Sequence, residues 1–234
     1  MSAVGAVGAL YRYPVKSLRG QPEARVDVDL RGVRDDRRWA LHDEAGKLGS
    51  GKSTRRFRRM DGLLELSATY DDGVPVVTFP DGRRLGAYDD AVHDALSAQV
   101  GLPVRLTEEG DVSHFDGGPV HLVTTASLRQ LATLLGAPVD VRRFRCNLVV
   151  DTPDLDGFVE EEWIGRPVTV GNGAVLRVVE PVPRCVMVTH AQDDLPVDKR
   201  VLSTVANAND NNFGVIAEVV RPGAMVVGDP VRLG

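Results

Sequence analysis

Cysteine is scarce in this chain, with two residues in 234. Neither belongs to a CxxC pair or a Cys/His cluster at zinc-ligand spacing, which excludes a disulfide framework and gives a structural zinc site no support. The five histidines, at 42, 93, 114, 121 and 190, form no HxH or HExxH pattern, so zinc hydrolase chemistry lacks its usual ligands as well. A basic excess is also missing: 28 Lys and Arg stand against 33 Asp and Glu, for a net charge of −5. That argues against a general nucleic-acid binder, and any anion site must be local. No stretch approaches the roughly 20 apolar residues that a membrane span requires. A soluble protein with no membrane partner is expected. The apolar start from Met1 to Leu10 has no basic region before it and leads straight into Tyr11-Arg12-Tyr13, so it reads as a strand and not as a signal peptide. With so few cysteines, the expected compartment is the reducing cytoplasm.

What is present is an ordinary globular composition, 43% hydrophobic and 26% charged, in a chain long enough for two small domains. The first half reads as short strands: Gly8 to Val15, the alternating Ala24 to Leu30, Arg38 to His42, Leu63 to Thr69, Val74 to Phe79 and Arg83 to Gly86. The last two are joined by a Pro80-Asp81-Gly82 turn, and closely spaced strands of this kind suggest a small barrel or sandwich. Asp89-Asp90 is placed to cap a helix carrying Val92, Leu96 and Val100 and ending at Gly101. A second helix is expected from Ala126 to Leu135, with Gly136 and Pro138 after it. Strands follow at Cys146 to Val150, Val168 to Val170 and Ala174 to Val179, then a short helix near Lys199 to Ala206 and strands at Phe213 to Val220 and Met225 to Leu233. The fold class is mainly β with a few helices, α+β. The pattern divides at 1–95 and 96–234, with a soft boundary between 88 and 118.

One stretch invites a nucleotide reading. Gly46-Lys47-Leu48-Gly49-Ser50-Gly51-Lys52-Ser53 satisfies the P-loop expression, which works when a parallel strand ends at the first glycine and a helix begins at the lysine. After Lys52, however, the chain has no amphipathic stripe and reaches Gly62 within ten residues. A hairpin with a glycine-rich connection is the expectation, and a P-loop NTPase ranks last among the functions considered.

The candidate chemistry centres on Cys185. Pro181 and Pro183 cannot donate to a ladder, so the preceding strand should break just before it and aim the thiol into a cavity. Arg184 would favour the thiolate, the form that ligates soft metals, although a buried cysteine acting as a small hydrophobe explains the same residues. Lys16 and Ser17 follow the proline-fixed Tyr13-Pro14 and offer an anion a charge and a directional donor; an ordinary exposed turn is the plainer account. Arg37 stands among Arg34, Arg38 and two aspartates, a set that a solvated charge cluster also explains. Arg145 and Asn147, two apart, would project from one strand face together, with Cys146 packed on the other. His190 lies close enough in sequence to Cys185 to deliver a proton.

Arg184-Cys185-Val186-Met187-Val188-Thr189, followed by Asn209-Asp210, Phe213-Gly214-Val215, Pro222-Gly223 and Gly228-Asp229-Pro230-Val231, resembles the MOSC domain, named for the C-terminal domain of molybdenum cofactor sulfurase. Tyr13-Pro14-Val15-Lys16-Ser17 and Asp36-Arg37-Arg38-Trp39 resemble the N-terminal β-barrel domain that accompanies it. The resemblance implies a small N-terminal β-barrel before a barrel-like MOSC domain, and a molybdenum cofactor, molybdopterin with molybdenum. It implies Cys185 as the protein ligand to the metal and as the catalytic residue, with Lys16, Ser17, Arg37, Arg145 and Asn147 holding the pterin and its phosphate. Asp116 is implied as a pterin acceptor, although the family's Asp-Thr-Ser-Pro is here Asp116-Gly117-Gly118-Pro119. The implied activity is the reduction of N-hydroxylated or N-oxide small molecules, as in the amidoxime reducing component and its bacterial relatives. The four cysteines of an iron–sulfur domain are lacking, so electrons would come from a separate electron-transfer protein. The alternative is a carrier of persulfide sulfur or of the cofactor itself, without turnover.

Overall fold

The computed structural model describes residues 2–234, and Met1 lies outside them. Its centre is a closed barrel of seven strands. In order around the barrel these are Leu148–Asp151, Val120–Thr124, Asn212–Arg221, Ala174–Pro183, Pro167–Val170, Pro230–Leu233 and Ser2–Arg12, the last pairing back onto the first. All the pairs are antiparallel except Val120–Thr124 with Leu148–Asp151. A parallel pair needs a crossover, and the helix Thr125–Leu135 supplies part of it. Thr124 caps that helix by accepting from Ser127 N, and Gly136 ends it in the left-handed conformation.

The barrel interior is filled by the inward residues of each strand, among them Val7, Leu10, Leu122, Leu148, Leu176 and Val215. A second core, built on Val15, Leu18, Leu41, Met60, Leu66 and Leu106, belongs to a four-stranded sheet and a three-stranded hairpin sheet. The helix Val92–Val100 covers it with Val92, Leu96 and Val100, as their spacing predicts. Residues 95 and 96, where the sequence pattern divides, lie within this helix. The strand beyond it, Val104–Glu108, pairs with Trp39–Asp43, so the second core reaches residue 108. Conversely Val7, Leu10, Val26, Val28 and Val33 are packed in the barrel. The chain therefore starts in the barrel, leaves to build the second core, and returns.

Several local expectations are corrected. The strand expected to stop at Val179 runs on through both prolines to Pro183. Its neighbour Pro167–Val170 ends opposite Arg177, so beyond that point only Asn212–Arg221 pairs with it, through register shifts flanking Glu180 and Pro183. A proline on a one-sided, bulged strand gives up no ladder bond. Asp89 does not cap its helix: its carboxylate accepts from Gly86 N in the preceding turn, and the cap position is Ala91. Leu63 to Glu65 is a 3-10 turn before the strand Ser67–Asp71. The last expected strand is two, Gly223–Val226 and Pro230–Leu233, separated by a turn in which Asp229 accepts from Val226 N. Arg145 and Asn147 precede their strand, which begins at Leu148.

Candidate functional site

A cavity of about 220 Å³ opens where the two cores meet. Lys16, Ser17, Arg37, Asp116, Arg145, Asn147 and Cys185 all line it. Cys185 is half-buried and extended, and it heads the 3-10 turn Val186–Thr189 directly after the proline strand. The residue that fixes it is Arg184. Its guanidinium donates to Phe213 O from Nε at 2.9 Å and to Phe144 O at 3.2 Å, and it also meets His121 Nε2. A guanidinium can only donate, so His121 accepts and is neutral. Burial, and then Arg184, hold that imidazole well below its ordinary pKa. Burial also lowers Arg184 to about 10. With its donors turned on backbone carbonyls, Arg184 serves first as the anchor of the Cys185 segment. Arg143 braces the same segment from the other side, donating to Pro196 O at 2.7 Å and His190 O at 3.2 Å.

Lys16 is buried, over the Phe57 ring, and donates to His114 O at 2.8 Å and to the Asp116 carboxylate. Burial lowers its ammonium to about 8, against the opposing pull of Asp116. Burial alone would raise the Asp116 carboxyl, but Lys16 outweighs it and the net shift is downward. Ser17 gives its hydroxyl proton to Gly49 O at 2.9 Å, so the directional donor that the sequence offers is spent within the chain. Asn147 is similarly engaged: its Oδ1 accepts from His121 N at 3.1 Å and its Nδ2 donates to Tyr11 O at 3.3 Å, tying two barrel strands together at the cavity wall.

Tyr13 organises the arginines. Its buried ring lies 4.7 Å from the Arg37 guanidinium carbon and 4.4 Å from that of Arg145. Arg37 Nη2 donates to Arg145 O at 2.8 Å and its Nη1 pairs with the fully buried Asp36. Arg145 donates Nη1 to Leu18 O at 2.7 Å, while its Nη2 is buried and has no partner. Burial lowers Arg145 to about 10. Ser17, Arg37 and Arg145 all take positive φ, at 66°, 50° and 55°. Left-handed backbone in non-glycine residues costs on the order of 1–3 kcal/mol each and gathers at sites where function over-determines the geometry.

Sequence reasoning missed the contribution of the P-loop lookalike. The glycine-rich connection does not make the expected hairpin: Leu48–Ser50 and Phe57–Arg59 pair in parallel, and no helix follows Lys52. Yet Ser50 and Lys52 line this cavity, and Gly51 N donates to Met187 Sδ at 3.1 Å. The cue was the lysine in a glycine-rich turn; its place here is in a cavity wall shared with Lys16, Arg37 and Arg145, without a helix dipole. At Gly118 a Cβ would lie 2.3 Å from Ile216 Cγ2, so the backbone itself forms the wall. His190 belongs to a neighbouring cavity and not to this one. Cys146 is the packed thiol, fully buried beside the stacked Phe144 and Phe213, and burial pushes it up to about 12.

The arrangement suits an anionic group that carries a soft metal. Lys16, Arg37, Lys52 and Arg145 face one carboxylate, Asp116, and Cys185 supplies one thiol. Among the described residues no group of three or more His, Cys, Asp or Glu is gathered to hold a metal ion, so further ligands would arrive with the group.

Comparison with known proteins agrees with this layout. Residues 109–232 match the family described as the MOSC domain, and residues 4–102 match the MOSC N-terminal beta barrel domain. The chain is 31% identical to mitochondrial amidoxime reducing component 2 of Rattus norvegicus, over 99% of this chain and 84% of that protein. It is 25% identical to mitochondrial amidoxime-reducing component 1 of Homo sapiens, over 100% and 84%. The YUAD protein of Bacillus subtilis shares the fold with a TM-score of 0.54 at 16% identity, over 98% of this chain and 94% of that one. Among the described residues no helix is long and apolar enough to cross a membrane. With both matches spanning nearly its whole length, this chain belongs to the MOSC family, a MOSC domain preceded by that family's N-terminal β-barrel domain.

Proposed function

We propose that the cavity holds the molybdenum cofactor and that the protein reduces N-hydroxylated or N-oxide small molecules with electrons from a separate protein. The single observation that carries this reading is the unpartnered, buried Nη2 of Arg145 in the wall that Cys185 also lines. A buried guanidinium nitrogen without an acceptor costs on the order of 1–3 kcal/mol or more, and a phosphate or pterin oxygen would remove that cost. The residues fit the group: cations for its phosphate, a soft thiolate for its metal, and a neutral wall at Gly117 and Gly118.

When bound, the group supplies two-electron oxygen-atom transfer at molybdenum. The chain's own part is to bind and orient. Cys185, held by the Arg184 anchor, offers its Sγ at a fixed place, and Lys16, Arg37 and Arg145 neutralise and aim the anionic end. The overall change is R–NHOH plus two electrons and two protons giving R–NH2 and water. The two electrons come from the partner and the two protons from solvent. The relatives named as amidoxime reducing components support the reaction class, and the reducing cytoplasm is the proposed compartment.

Protein from a host that makes the cofactor is expected to carry about one molybdenum per chain by elemental analysis. Cys185→Ala should keep its fold and lose the sulfur scatterer that the chain contributes in X-ray absorption, together with reductase activity. Labile sulfur without molybdenum would point instead to a persulfide carrier, and an active Cys185→Ala would remove the assignment.

A further inference from the structure

Behind the wall formed by Gly51 and Met187 lies a second cavity of about 190 Å³. Its lining is largely apolar, with Met60, Leu63, Leu64, Met187 and Val197, and one ring stands out among them, His190. His190 Nε2 is buried and has no partner. The partition is thin because position 51 is glycine: a Cβ there would lie 2.3 Å from Met187 Sδ and 2.9 Å from His190 Nε2. Met187 lines both cavities, so the two spaces meet across one flexible thioether.

Two carboxylates stand at the rim and none lies among the apolar walls. Asp61 is held by Arg59 Nε at 2.9 Å, and Glu65 accepts from Gln99 at 2.9 Å. Both carboxylates are exposed to solvent, which screens them, and inside the cavity a neutral guest needs only the apolar walls and one partner for the imidazole. As for size, a cavity of about 150 Å³ accepts benzene, so this one has room for a single ring and a small substituent.

We propose that this second cavity is a subsite for a neutral, ring-sized organic molecule bearing one hydrogen-bonding group, which seats on His190 Nε2. Its role rests on the proposed function: the subsite takes the apolar body of the substrate, and Met187 is the partition across which the N–O end reaches the Cys185 cavity. Specificity for the body is then set by Met60, Leu64 and His190, while the anion-binding side chains of the first cavity take no part in it.

The test uses the full chain as purified, labelled with 13C-methyl methionine. Its four methionines are Met1, Met60, Met187 and Met225. Met60 and Met187 line the subsite, while Met225 is fully buried in the barrel core and reports on the fold. Phenol is the probe and toluene its counterpart without the hydroxyl. Saturable shifts of Met60 and Met187 with phenol, and an unmoved Met225, are expected. His190→Phe should weaken phenol at least fivefold and leave toluene unchanged. Absence of saturation, equal movement of Met225, or an unaltered phenol affinity in His190→Phe overturns the subsite. Because phenol binding needs no molybdenum, a chain that binds phenol but never loads the metal contradicts only the proposed function. A loaded, active chain that ignores phenol contradicts only the subsite.

Discussion

Three left-handed residues, Ser17, Arg37 and Arg145, stand around one cavity, and two of them present guanidiniums to the same tyrosine ring. Arg37→Ala and Arg145→Ala should each weaken cofactor retention by about 1.5–3 kcal/mol, roughly tenfold to a hundredfold, the worth of a charged hydrogen bond. Arg34→Ala, exposed and outside the cavity, should retain the pterin as the parent does. Pterin fluorescence of the released fraction measures this, and equal retention in all three variants would reject the assignment of these arginines. Lys16 adds a pH dependence whose sign follows from burial. Its ammonium titrates at about 8 in the fold against an ordinary 10.5, so between those values the folded chain holds fewer protons than the unfolded one. Stability from this group therefore rises with pH across about 8 to 10.5. By pH 9.5 the gain is about 2 kcal/mol, and Lys16→Met should lack it in urea unfolding at pH 7.5 and 9.5. Identical pH slopes in the two proteins would count against a buried, destabilised ammonium. At this scale the seven residues that the sequence singled out share one cavity. It did not reveal that Ser17 and Asn147 spend their polar groups on Gly49, His121 and Tyr11, because those partners are brought in by tertiary structure.

Elements explain how a proline strand can lead into Cys185 at the cavity wall. Reading Pro181 and Pro183 as a break was reasonable from local chemistry, but whether a missing N–H matters depends on how many neighbours the strand has at that point. Here one neighbour stops at Pro167 opposite Arg177, which no local pattern announces. The P-loop lookalike teaches the same lesson in reverse, since its letters are present and the helix that gives them meaning is not. The strand Asn212–Arg221 carries the most sensitive joint. Gly214 has φ of 75°, and a Cβ there would lie 2.7 Å from both His121 Nε2 and Leu122 O. Gly214→Ala should cost about 3 kcal/mol from strain and clash together, and it should disturb Phe213 O, the acceptor for Arg184. Two readings test it: the midpoint of denaturant unfolding, and the rate at which Cys185 reacts with an aromatic disulfide, Cys146 being buried and silent. A variant with the parent's midpoint and thiol rate would show that Gly214 is not the joint described.

At the scale of the whole molecule, the two family matches meet between residues 102 and 109, yet the packing crosses that line. Ser2–Arg12 lies between Leu148–Asp151 and Pro230–Leu233, and closes the barrel. Val26, Val28 and Val33 pack in the same interior. Alternation along each strand was legible in the sequence; which sheet each strand joins was not, because pairing at separations of over a hundred residues leaves no local mark. The consequence is a test of cooperativity. Cutting the chain after residue 108 leaves residues 109–234 with two open strand edges and an uncovered core, a state prone to edge pairing and aggregation. That fragment should show no cooperative thermal transition by near-ultraviolet circular dichroism, and adding residues 1–34 in trans should restore one. Leu10→Ala in the intact chain gives a milder version, with an expected loss of about 2–5 kcal/mol for a fully buried leucine in this interior. A sharp transition in residues 109–234 alone would mean that the barrel closes without its first strand, and that the first half is needed only for the cavity wall that Lys16, Ser17, Arg37 and Lys52 supply.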